Sequence, residues 1–169
     1  MVLTKNELIS ALNGEVRLLL HLASKAEPSM HGYRPAPKQR SLLELMQYMT
    51  LFGPIHLRGA LSPSFDMAAW GKAWSEGEAS AKLLTFDQAA EVIAKQPALY
   101  AELLGATPDD DFRAEIELFG HKASRGSWAV TLVLNHYAAY RMQLFLYLKA
   151  AGREELNTLN LWAGIDGKM

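Results

Sequence analysis

Two side chains that could share one ion stand four residues apart in NHYAAYRMQLFLYLKAAG, residues 135–152: His136 and Tyr140. At about 100° per residue an α-helix turns both to one face, and Gln143 and Tyr147 continue the row. A neutral imidazole is a ready metal ligand. A phenol ligates chiefly as phenolate, which a pKa of about 10 makes costly at neutral pH. The row therefore supports two readings. It is part of a metal site, or it is a hydrogen-bonded polar stripe whose hydroxyls and imidazole satisfy one another. The other faces carry Leu134, Tyr137, Leu144, Phe145, Leu146 and Leu148. A helix that apolar is expected to be largely buried, with its polar row inside the bundle or lining a pocket.

Other groupings point to less. Asp109, Asp110 and Asp111 crowd three carboxylates, but adjacent residues do not converge on one ion unaided; a solvated turn is expected. Glu115 and Glu117 would share one side of a strand, facing water. No GxSxG, phosphate-loop or GxGxxG pattern occurs. The 169 residues include no cysteine, which excludes disulfides, thiolate metal sites and cysteine nucleophiles. A net charge of −1 without a basic stripe argues against a nucleic-acid partner. The opening MVLTKNELISALNGEVRLLL mixes acidic and polar residues into its apolar pattern, unlike a signal peptide. No run approaches the roughly 20 apolar residues of a membrane span. A soluble, cytoplasmic protein without a membrane partner is expected.

The elements that must hold the row are helices. Thr4 with Glu7 and Ser41 with Glu44 are capping-box pairs that open helices. HGYRPAPKQR, residues 31–40, is a loop, since its prolines and glycine forbid a regular helix. The second helix runs from Ser41 through IHLRGAL, with a kink at Gly53-Pro54. Ser64 or Asp66 caps a short helix weakened by Gly71 and Gly77. Its Trp70 and Trp74 pack over the second helix or form a patch for a partner. Thr85 or Asp87 opens the next helix, which Pro97 bends or divides. DFRAEIELFG reads as extended, irregular or helical. The longest helix starts near Ser124 or Ser127 and runs to Gly152, and the tail holds one more turn. Four main helices of about 20 residues make an all-α, up-down four-helix bundle, a single domain over 1–169, with long crossover loops.

The stretches RPAPKQRSLLELMQYM, LFGHKASRGSW and NHYAAYRMQLFLYLKAAG together resemble the DinB/YfiT-like proteins, four-helix bundles with putative metal-dependent activity, across nearly the whole chain. The resemblance implies three histidine ligands for a divalent metal such as zinc or nickel. One would lie on the second helix and two on the last, before an RxQ matched by Arg141 and Gln143. Carried over, those ligand positions are Tyr48, His136 and Tyr140, so only one imidazole is retained. His56, eight residues past Tyr48, is expected to lie about 12 Å away along a straight helix. That leaves His21 as the best, though weak, replacement ligand. An iron site of two phenolates and one imidazole is the remaining metal option. The favoured expectation is a metal-free bundle, without cofactor, that is structural or binds a small molecule at Tyr48, His136, Tyr140 and Gln143. The alternative is a divalent-metal enzyme acting on a small thiol through a rearranged site around His136. Bundles of this kind often pair through their helices, so a homodimer is the expected assembly.

Overall fold

The helix starts follow from side-chain caps. In the computed structural model, which describes residues 3–167, Thr4 and Glu7 close a capping box on α1 (Lys5–Ala23), and Ser41 and Glu44 close one on α2 (Leu42–Met49). After α3 (Phe52–Leu61), Asp66 caps α4 (Met67–Ala81) by accepting from two backbone N–H groups. Thr85 and Gln88 cap α5 (Phe86–Ala94). The helix interrupted by Pro97 is two helices, because α6 (Gln96–Ala106) restarts with the proline in its first turn, where no N–H is needed. Of the expected domain span, residues 1–2 and 168–169 lie outside the described residues.

DFRAEIELFG divides between two structures. The aspartate run opens the short α7 (Asp109–Arg113), and β1 (Glu115–Leu118) then pairs antiparallel with β2 (His121–Ser124). The turn residues Phe119 and Gly120 both have positive φ, as a type I′ hairpin requires. The last rod begins at Ser124. It comprises α8 (Arg125–Ala129), a π-helical turn over Val130–Leu134, and α9 (Asn135–Ala150), and it ends before Gly152 at φ 120°. The tail holds a further π turn at Leu159–Ala163.

Four rods surround the core: α1, α2 with α3, α5 with α6, and α8 through α9. The first rod packs on the third and fourth, and the second rod also packs on the third and fourth. Consecutive rods one and two are therefore diagonal, as are rods three and four. Two long connections must cross the bundle, and these are the 24–41 segment and the α7–hairpin segment. Between rods two and three, α4 runs back along the second rod, with Trp70 against His56 and Gly77 against Leu51. The chain thus re-enters at its starting end, and rods two and three lie parallel, α2 on α5 and α3 on α6.

The expected kink at Gly53-Pro54 is a full break, and it falls earlier, at Thr50–Leu51. Pro54 sits in the first turn of α3, where it is tolerated. The break is held by Gln96 from α6, whose amide donates to the Met49 and Thr50 carbonyls at 3.1 and 2.9 Å. Gly53 faces Tyr100 so closely that a Cβ would collide with the hydroxyl and lie 3.1 Å from Cζ.

Candidate functional site

Tyr48, Phe52 and His56 recur every four residues along the second rod, so they form one face despite the break. His136 and Tyr140 make the matching stripe on α9. The two stripes run in opposite directions and meet ring to ring. Tyr48 lies 5.1 Å from Tyr140 between centroids, and His56 stacks on His136 at 5.6 Å and 15°. Phe52 lies between them, 5.9 Å from His136 and 5.7 Å from Tyr140. A third four-residue pair, Trp70 and Trp74 on α4, closes the other side. Trp74 touches Tyr48 and His56, and Trp70 touches His56. The hairpin tip completes the layer, with Phe119 packed on Phe65 and Trp70. The tryptophans thus cover the second rod.

Within this cluster the polar groups are held in particular states. His136 Nδ1 is 2.5 Å from the Leu132 carbonyl in the π turn. A carbonyl only accepts, so Nδ1 carries the proton and Nε2 is left as the basic nitrogen. His56 is buried, and its Nδ1 has no hydrogen-bond partner among the described residues. Burial, reinforced by His136, pulls its imidazole down to about 4. Burial, with the neighbouring Tyr140 hydroxyl, holds the Tyr48 phenol above its ordinary range.

His56, expected about 12 Å from Tyr48 along a straight helix, makes its ring contacts with His136, Trp70 and Trp74. The last rod lies against the second, so His56 reaches His136. His21, the expected replacement, lies at another place altogether, 3.6 Å from Asp166 and beside Asn160. Gln143 turns to the Tyr147 hydroxyl at 2.6 Å, and Tyr147 packs on Tyr33, so the polar row divides after Tyr140.

Tyr48 also lines a cleft of about 640 Å³ between the 34–44 segment with α2 and the C-terminal end of α4. Arg40 lies over the Tyr48 ring, 4.0 Å from its centroid. One group on the last helix has a role that its spacing did not show. Arg141 is 1% exposed and pairs with Glu15 on α1 at 2.7 Å, donates to the Leu161 carbonyl, and stacks under Trp162. Glu15 breaking an otherwise apolar stripe was the available signal.

A four-rod bundle with two diagonal crossings and this helix order is a DinB-like fold. The chain is similar to the crystal structure of YjoA, a DinB-like protein from Bacillus subtilis. The TM-score is 0.66 at 18% identity, over 89% of this chain and 94% of that one. No family model matches the sequence, and no curated protein does. Among the described residues no helix is long and apolar enough to cross a membrane.

Proposed function

We propose that this DinB-like bundle binds a small molecule without a metal, at the cleft where Tyr48 joins the His136–Tyr140 stripe. The supporting observation is the position of Tyr48, which is at once a wall of the cleft and a ring of the aromatic cluster. Clefts of several hundred Å³ with an apolar floor and a few polar groups are the usual form of ligand sites.

The donor set does not suit the divalent metal that the fold family implies. Two of the three carried-over positions are phenols, and Tyr48 is held toward its neutral form. Among the described residues no group of three or more His, Asp or Glu gathers as a ligand set. The unpartnered Nδ1 of His56 is the one feature in a metal's favour. Its ring lies beside His136, 5.6 Å between centroids. Even with His136 it brings only two imidazoles, short of three such ligands, and the remaining donors are phenols. The thiol-directed metal enzyme is therefore the weaker reading.

Elemental analysis of protein grown with zinc, nickel and iron tests this. We expect well below one metal ion per chain; one ion per chain would overturn the metal-free reading.

A further inference from the structure

We propose that the cleft over Tyr48 selects anionic ligands, specifically small molecules that join a carboxylate or phosphate to an apolar body. This rests on the ligand-binding reading above and adds the chemical class.

The charge of the lining is the first ground. Arg34, Lys38, Arg40 and Lys82 face only Glu44 and Glu78, in a protein whose net charge is −1. Glu44 is already engaged by Arg34 at 3.1 Å. Among the described residues Lys38, Arg40 and Lys82 form no ion pair, so three cations remain against one carboxylate. A cleft lined mainly by one sign of charge concentrates counter-ions of the other.

The second ground is that the walls are fixed before any ligand arrives. Pro35 and Pro37 stiffen the 34–40 segment. Arg34 also donates to the Gln39 carbonyl at 2.8 Å, and the Leu42 N–H donates to Tyr33 at 2.9 Å. Across the cleft, the Gln47 amide donates to the Lys82 and Leu84 carbonyls at 3.4 and 2.8 Å, tying α2 to the end of α4. Arg40 is oriented by its stacking on Tyr48, which leaves the guanidinium edge free to take an oxyanion in bidentate fashion.

The third ground is the floor. Leu43, Leu51 and Ala81 lie beside the Tyr48 ring in the same cleft. An inorganic ion would leave that surface uncovered, and an organic anion would cover it.

Calorimetry with 1-naphthyl phosphate and neutral 1-naphthol tests the proposal on the intact chain. We expect the phosphate to bind at least about tenfold tighter, since charge-assisted hydrogen bonds are the added interaction. Arg40→Gln and Lys82→Gln should each weaken the phosphate by about tenfold and leave naphthol unchanged. Lys122→Gln, on the distant β2, should change neither. The substituted residues are exposed, and circular dichroism is the control for folding. Equal affinity for both probes, with naphthol displaced by a bulkier side chain at Leu43, overturns the anion preference while the ligand-binding reading stands. Binding of neither probe at millimolar concentration overturns both.

Discussion

His56 is the side chain whose surroundings most alter its chemistry. Its imidazole is held down to about 4 against an ordinary 6.5, so the unfolded chain binds the proton more readily than the folded one. Stability is therefore full above about pH 6.5 and is lost as the pH falls toward 4. We expect the urea midpoint to fall across that interval. His56→Phe keeps the ring contacts and removes the unsatisfied nitrogen. It should gain about 1–2 kcal/mol at neutral pH and flatten much of the slope. His21, also lowered by burial, leaves a residual slope. An unchanged slope in the variant would refute this account of His56. The neighbouring positions permit a converse experiment. Tyr48→His combined with Tyr140→His should bind zinc near stoichiometrically and well above the parent chain. If the double variant takes up no more zinc than the parent, the ligand positions have been carried over incorrectly.

The break between α2 and α3 interrupts the rod that carries the stripe, yet Tyr48, Phe52 and His56 keep one face across it. It needs Gln96 to occupy the α2 carbonyls, and the Tyr100 and Tyr137 hydroxyls to occupy Gln96. It also needs no side chain at residue 53. Gly53→Ala should cost about 2–3 kcal/mol in urea unfolding, because buried overpacking forces the Tyr100 ring to move. Tyr100→Phe removes the colliding oxygen, so the two substitutions should be strongly non-additive, with the double variant recovering part of the loss. Simple additivity would mean that the break is held by something else. The capping boxes at Thr4 and Ser41 were legible because they are contacts between residues three apart. The position of the break was not, because its partners lie more than 40 residues away.

Arg141 fastens two neighbouring rods, linking α9 to Glu15 of α1 and to the C-terminal turn. Removing one member of a buried pair leaves an uncompensated charge. Arg141→Met should therefore cost about 3–5 kcal/mol, and adding Glu15→Leu should restore most of it. A double variant no more stable than the single would show that the pair does more than neutralise itself. The cleft is likewise a product of tertiary packing, since its walls belong to the 34–44 segment with α2 and to the end of α4, which Gln47 and the Tyr48–Trp74 contact hold together.

Helix content, the starts of most helices, the crossings implied by long connections, and the His136–Tyr140 face all follow from local spacing and capping, which act within one or two turns. So does the resemblance that marked Tyr48. Two things depended on how distant segments pack: the approach of His56 to His136 and the basic cleft over Tyr48. The physical reason is shared. A four-residue repeat specifies which face of a helix a ring occupies, but which other face it meets is chosen by the burial of all four rods together.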